Sequence, residues 1–194
     1  MDRTQGIILK KIPIGEFDEL LVCYTKDFGK LKIMAKGIHQ KASKQRNHLD
    51  ILTLADFLIV KGRHTDTVRS ALSLNKFSNI KADLKLSALV FSAVELVNKT
   101  IFENQPDLNI WNLLLDYLNH LNEIDPNPYT LDPSYILSLF HSFFSNLIKF
   151  HGRENGFKPF GKISVNSYLN NINGFFYADF GEKLNSLQFL KKVL

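Results

Sequence analysis

The spacing of apolar residues changes near residue 77, and this change divides the chain into two parts. Before it, apolar residues stand in short runs bounded by glycine, proline and charged residues, a pattern typical of β-strands. After it, they recur every three or four positions over long segments, as in amphipathic helices. We therefore predict an α+β protein with two domains, a β-domain over residues 1–76 and a helical domain over residues 77–194.

Five short strands are predicted in the first part, at residues 6–10, 20–26, 31–36, 52–60 and 67–74. A tight turn at residues 27–30 joins the second and third strands, because Gly29 can adopt a positive φ. Alternation in the third strand places Leu31, Ile33 and Ala35 on one face and Lys32, Met34 and Lys36 on the other. Five antiparallel strands, with a longer connection after the third, match an OB-fold β-barrel. A small SH3-like barrel also fits these strand lengths.

Three long helices are predicted in the second part, at residues 80–102, 107–122 and 134–151, with a final amphipathic helix at 184–194. The third is apolar nearly all round, so we expect it to be buried. Residues 165–169 and 175–178 are predicted to pair as a small hairpin around the polar segment 170–174. The second domain is thus predicted to be a helical bundle with a small hairpin.

Positive charge is concentrated in the first part of the chain. Residues 1–76 hold 14 Lys and Arg against 8 Asp and Glu, whereas residues 77–194 hold 10 against 11. Basic residues are densest from Lys26 to Arg46, where Asp27 is the single acid. Such a segment suits the phosphate backbone of a nucleic acid, because flexible cations replace its counterions. The predicted backbone contacts are Lys26, Lys30, Lys32, Lys36, Lys41, Lys44 and Arg46.

Single-stranded nucleic acid also needs aromatic side chains on which its bases can stack. Phe28, in the hairpin turn, and Tyr24 are the nearest candidates in the sequence. Core packing is the alternative for Tyr24, and an ordinary solvated surface is the alternative for the lysines.

Motifs of known catalytic sites are missing. The sequence has no P-loop, no dinucleotide-binding glycine pattern, no nucleophile elbow and no His-Glu-x-x-His pair. One cysteine, Cys23, cannot build a cysteine zinc site. Glu16, Asp18 and Glu19 could hold a divalent ion as nuclease carboxylates do, but a solvated turn also explains them. We therefore expect a protein that is not an enzyme and has no metal or cofactor.

The third helix could also contribute to a partner-binding site. Phe143 and Leu147, rimmed by Lys149, Arg153 and Lys158, would suit an acidic peptide with an aromatic tip; core packing is the alternative. No apolar run reaches the 18 residues of a membrane-spanning helix. We therefore expect a soluble, cytoplasmic protein.

Short motifs follow one another in order along the first part of the chain. They are GIILK at 6–10, GE at 15–16, TKDFGKL at 25–31, AKG at 35–37, LTL at 52–54, KGR at 61–63 and AVELV at 93–97. This series resembles the start of the RecO family of recombination-mediator proteins, most closely over residues 3–76. The resemblance implies an OB-fold followed by a helical domain.

The resemblance also implies a function in DNA repair and recombination. RecO proteins bind single- and double-stranded DNA, anneal complementary strands and help to load recombinase onto strands coated by single-strand binding protein. The implied partners are DNA, RecR and the acidic carboxy-terminal tail of that coating protein, and the implied location is the nucleoid. Lys30, Lys36, Lys41, Lys44 and Arg46 would contact the DNA backbone.

One departure from the family pattern concerns metal. Many relatives carry a four-cysteine zinc module after the third helix, but residues 156–181 contain no cysteine. The hairpin predicted there would be a metal-free remnant of that module. An RNA-binding OB-fold module and a protein-interaction scaffold stay open as alternative functions.

Overall fold

The computed structural model describes residues 1–41, 43–125, 132–152 and 164–194. These residues form two compact units. The first unit comprises Met1–Phe77 together with Ile101–Trp111, and the second comprises Ser78–Thr100 together with Asn112–Leu194. The predicted α+β class is confirmed, since the first unit contains a β-barrel and the second is helical.

Five strands close into a barrel in the first unit. They are β1 (Asp2–Ile14), β2 (Asp18–Thr25), β3 (Gly29–Ala35), β4 (Leu54–Val60) and β5 (Asp66–Asn75). Their order around the barrel is β1-β2-β3-β5-β4; β3 and β5 pair in parallel and all other neighbours are antiparallel. This arrangement confirms the predicted OB-fold, and the parallel pair distinguishes it from an SH3-like barrel.

β1 is longer than the predicted strand because it pairs with two neighbours in succession. Its first half pairs with β4 and its second half with β2, and the register shifts between Ile8 and Lys10. A bulge of this kind bends a strand, which lets one strand turn a barrel corner. Gly6 pairs with both neighbours, and a side chain there would press against Phe57 and Thr25.

Alternation along the strands builds the barrel core. Leu31, Ile33 and Ala35 of β3 are buried, whereas Lys32 and Lys36 are exposed, as the sequence predicted. They pack with buried residues of the other strands, including Ile8, Leu21, Cys23, Phe57 and Ala71. Ile38 and Leu49, from the connection between β3 and β4, enter the same core. That long connection is therefore anchored at both ends by burial.

Six helices are described after the barrel. They are α1 (Ser78–Ala82), α2 (Leu84–Thr100), α3 (Leu108–Glu123), α4 (Pro133–Phe150), α5 (Val165–Phe180) and α6 (Ser186–Val193). The predicted helix 80–102 is divided at Asp83, whose carboxylate accepts a hydrogen bond of 2.8 Å from the N–H of Leu86 and so caps α2. Leu84 and Leu108 are the first residues of α2 and α3, and both are exposed. No helix within the described residues is long and apolar enough to cross a bilayer.

The hairpin predicted within residues 165–178 is wrong, because these residues form α5. Tyr168, Leu169, Ile172 and Phe176 are buried along one side of the helix, at the spacing that a helix requires. Ser164 caps its start by accepting a hydrogen bond from the N–H of Ser167. At the end of α5, Gly181 adopts a left-handed conformation with φ 71°, a common way for a helix to end. The segment 170–174 resembles a turn in composition, but tertiary packing of the apolar residues outweighs that local preference.

A carboxylate fastens α6 within the second unit. Glu95 of α2 accepts hydrogen bonds from the N–H groups of Asn185 and Ser186, at 3.1 and 2.8 Å, and from the Ser186 hydroxyl at 2.5 Å. Lys99 lies 3.5 Å from Glu95 and 2.9 Å from Glu182. Burial alone would raise the pKa of Glu95, but these hydrogen bonds and the charge of Lys99 outweigh it and lower the pKa.

Candidate nucleic-acid interface

The outer face of β3 carries three of the predicted DNA contacts. Lys30, Lys32 and Lys36 alternate with the buried residues of the strand and so point away from the core. Lys32 is not available as a free charge, because its Nζ lies 2.6 Å from a carboxylate oxygen of Glu103. Lys36, at the end of the strand, is exposed and takes part in no ion pair among the described residues.

Residues 101–111 lie against the hairpin formed by β2 and β3. The N–H of Asn104 donates to the carbonyl of Lys30 at 3.0 Å, and the Tyr24 hydroxyl donates to the carbonyl of Asp107 at 3.1 Å. The rings of Tyr24 and Trp111 are 6.4 Å apart. Tyr24 is fully buried, and burial raises its pKa to about 12. Tyr24 therefore packs in the interior, which was the alternative given for it, and its ring is not available for base stacking.

The turn between β2 and β3 holds Lys26 and Phe28. The Thr25 hydroxyl donates to the carbonyl of Gly29 and accepts from the N–H of Phe28, which fixes the turn. Lys26 is exposed, but Phe28 is partly buried against the barrel core. The ammonium of Lys61, from the turn between β4 and β5, lies 5.2 Å from the centre of the Phe28 ring. Phe28 is therefore already engaged on two sides.

The connection between β3 and β4 presents the remaining predicted contacts. A short 3-10 turn, Arg46–His48, lies within it. The amide oxygen of Gln45 accepts from the N–H of Ala71 at 2.7 Å, and Nδ1 of His48 accepts from the N–H of Ser73 at 3.1 Å. These contacts hold the connection against β5.

The side chains of Lys41, Lys44 and Arg46 are exposed in that connection. They take part in no ion pair among the described residues. Their positive charge is therefore available to a ligand.

The predicted contacts do not form one compact cluster. Lys26 precedes the first residue of β3 and Lys36 follows the last one, and β3 has 7 residues. At about 3.3 Å per residue, these two lysines flank a strand roughly 20 Å long. Lys36, Lys41, Lys44 and Arg46 belong to the far end of β3 and to the connection that follows it. We call these four residues the loop cations.

The acidic turn between β1 and β2 does not gather its carboxylates at one point. Asp18 accepts a hydrogen bond of 2.7 Å from the N–H of Gly37. Glu19 is buried and lies 3.0 Å from both Lys11 and His39, while Glu16 is exposed. No group of three metal-ligating side chains is found among the described residues.

Two residues near the basic surface were missed by sequence reasoning. Lys61 was not among the predicted site residues, although it packs on Phe28 and pairs with Asp66 at 2.9 Å. Phe17 lies in the turn between β1 and β2, and half of its surface is exposed. Phe17 stands between Glu16 and Asp18. An aromatic residue between two acids in a turn is expected to be exposed, and this position is the signal that could have identified it.

The predicted partner-binding residues differ in their exposure, and two of them lie outside the described residues. Phe143 and Leu147 of α4 are buried, in agreement with the alternative of core packing, and the Phe143 ring lies 4.5 Å from that of Tyr117. Lys149 is exposed. Arg153 and Lys158 lie outside the described residues. A peptide site in this unit stays a prediction.

Comparison with known proteins identifies the barrel. Residues 1–77 match the family model described as "Recombination protein O N terminal". Three similar proteins, each named "DNA repair protein RecO", come from Acetivibrio thermocellus, Desulforudis audaxviator and Gloeothece citriformis. They are 30%, 35% and 32% identical to this chain over 126, 121 and 140 residues, or 65%, 62% and 72% of its length.

The aligned regions cover 50%, 49% and 49% of these three relatives, so the chain spans about half the length of the proteins it matches. The matched family region and the five strands coincide, since β5 ends at Asn75. Residues 1–77 therefore form a RecO amino-terminal domain.

Proposed function

We propose that this chain is a DNA-repair protein without a catalytic centre, and that its barrel binds the DNA backbone. The observation that carries the proposal is the set of exposed loop cations on an OB-fold barrel. The proteins that share this barrel are named as DNA-repair proteins. Backbone binding through lysine and arginine does not depend on sequence, which suits a protein that must act wherever DNA is damaged.

The connection that carries the loop cations is anchored at several points before any ligand arrives. Ile38 and Leu49 bury the two ends of the connection, and Gln45 and His48 bind the backbone of β5. Because these four residues are already held in the free protein, part of the entropy cost of binding is avoided. Such a surface supports the finer proposals that the protein binds single- and double-stranded DNA and anneals complementary strands, since annealing requires that phosphate repulsion be neutralised.

A salt titration tests backbone binding. We expect the affinity for a fluorescent oligonucleotide to fall with rising salt, with the slope of log affinity against log salt near −0.7 per phosphate contact on a single strand. The four loop cations should thus contribute about −3. The double variant Lys36→Gln, Lys41→Gln should flatten the slope by about 1.4.

A charge-matched control uses two exposed lysines of the second unit, Lys183→Gln and Lys192→Gln. This control should leave the slope unchanged. Equal slopes for both double variants would contradict the proposed surface. Competition with a matched RNA strand separates a DNA-binding protein from an RNA-binding module.

Partner recognition is the second part of the proposal. We expect this chain to help to load recombinase onto DNA. Its expected partners are RecR and the acidic tail of single-strand binding protein. An annealing assay on strands coated with that protein should show faster pairing when the chain is added. If the chain anneals bare strands but never coated ones, DNA binding stands and recognition of the coating protein fails.

A further inference from the structure

The turn between β1 and β2 and the connection after β3 form one continuous surface. The N–H of His39 donates to the carbonyl of Phe17 at 3.1 Å, and the N–H of Gly37 donates to the carboxylate of Asp18 at 2.7 Å. These two bonds join Phe17 to the segment that directly follows Lys36. Phe17 and Lys36, which takes part in no ion pair with another described residue, therefore belong to the same small region of the barrel.

The aromatic ring in this region, that of Phe17, is exposed to solvent. Phe17 has 50% of its surface in water, which leaves part of the ring open to a ligand. Its backbone is nevertheless fixed, because the neighbouring Glu19 is buried between Lys11 and His39. A ring held in water by a fixed turn is the kind of platform on which an unpaired base can stack.

We infer that Phe17 is a stacking platform for an unpaired base of DNA, with Lys36 and Lys41 on the adjacent phosphates. This inference rests on the proposed function, because it requires DNA on the barrel. Stacking uses the flat face of the base, which every base offers, so the site favours single-stranded DNA without regard to sequence. A paired base in a duplex has no free face to offer.

The other aromatic candidates of the first unit are less suitable. Tyr24 is fully buried, and Phe28 is packed between the core and Lys61. Phe102 is 75% exposed, but the nearby lysine, Lys32, is already paired with Glu103. Phe17 is exposed, and its backbone is bonded to the segment that joins Lys36 and Lys41, which have no acidic partner within the described residues.

An affinity comparison tests this inference on the full chain. Phe17→Ala should weaken binding to oligo(dT) by roughly 5- to 150-fold, which corresponds to the ~1–3 kcal/mol of one stacked base. Binding to a strand of the same length made of abasic sites should change less than twofold, because it offers phosphates without bases. Phe102→Ala, the matched control, should leave both affinities unchanged.

A spectroscopic readout reports the stacking itself. The chain has one tryptophan, Trp111, which is 2% exposed. Phe17→Trp therefore adds an exposed indole, whereas the fluorescence of the buried Trp111 should change little on DNA binding. Oligo(dT) should quench the added fluorescence, whereas the abasic strand should not. Equal quenching by both strands would overturn the inference.

The outcomes separate this inference from the proposed function. If the unmodified chain binds neither strand, the proposed function fails. If it binds oligo(dT) and Phe17→Ala binds equally well, DNA binding stands and the stacking site is refuted. If Phe17→Ala weakens binding to both strands alike, Phe17 serves only to support the turn, and the inference is again refuted.

Discussion

Substitution of Gly29 tests whether residues 103–107 lie on the β2–β3 turn. Gly29 has φ 67°, and a Cβ atom there would overlap the carbonyl of Gln105 and lie 2.7 Å from the nitrogen of Pro106. Gly15 provides a matched control, since its φ is 64° and a Cβ atom there would meet nothing within 4 Å. Gly15→Ala and Gly29→Ala therefore share the cost of a positive φ and differ in the steric overlap.

The expected magnitudes follow from these contacts. A positive φ costs alanine about 1–2 kcal/mol, partly offset by ~0.4–1 kcal/mol from the stiffer unfolded chain, so Gly15→Ala should lose about 1 kcal/mol. Gly29→Ala must also displace residues 103–107. This displacement breaks the Asn104–Lys30 and Tyr24–Asp107 hydrogen bonds, at about 1 kcal/mol each. The exposed Lys32–Glu103 pair adds little, so the total loss should be about 3 kcal/mol.

Urea unfolding of the full chain measures the difference. Trp111 is the single tryptophan and belongs to the first unit, so its fluorescence reports that unit. With a slope of about 2 kcal/mol per molar urea, Gly29→Ala should unfold roughly 1 M earlier than Gly15→Ala. Equal midpoints would refute the packing of residues 103–107 against the turn.

Three further outcomes follow from single side chains. Glu103→Gln should release Lys32 and make the salt slope of DNA binding steeper by about 0.7; an unchanged slope would mean that Lys32 makes no phosphate contact. Glu95→Ala should destabilise the docking of α6 by about 2 kcal/mol, measured by amide hydrogen exchange of α6. The pKa of Glu95 is lower in the folded protein than its ordinary value of 4.5, so its stabilisation of α6 is present at neutral pH. This stabilisation disappears as the pH falls below 4.5 and through the lowered pKa of the folded protein. Protection of α6 that is constant down to pH 3 would contradict this. Cys23 is buried and its pKa is raised by burial, so it should react with a thiol reagent only as fast as the barrel opens, and immediate labelling would show an accessible thiol.

The barrel could be predicted from the sequence because its signals are local. In β3 the alternation of apolar residues with lysines matches the two faces of the strand, and Gly29 marks the turn before it. α5 was mistaken for a hairpin because Asn173 and Gly174 resemble a turn. Their effect is local, whereas the buried positions Leu169, Ile172 and Phe176 depend on packing across the unit.

The candidate site was harder to predict, because its geometry depends on contacts between distant residues. The lysines could be identified by type, but the pairing of Lys32 with Glu103 joins residues 71 positions apart. The link between the Phe17 turn and the segment after Lys36 likewise depends on hydrogen bonds from Gly37 to Asp18 and from His39 to Phe17. Sequence periodicity carries no information about such pairings.

The edge of β5 has a consequence for how this protein can change over evolution. β5 pairs with β3 only at Asp66 and Thr67, and beyond them Gln45 and His48 occupy the backbone N–H groups of Ala71 and Ser73. Unsatisfied strand edges recruit other strands and promote aggregation. The loop that carries the cations thus also covers the edge of β5. Substitution of Lys41 or Lys44 can therefore change the affinity for DNA, whereas substitution of Gln45 or His48 would expose the strand edge and lower solubility.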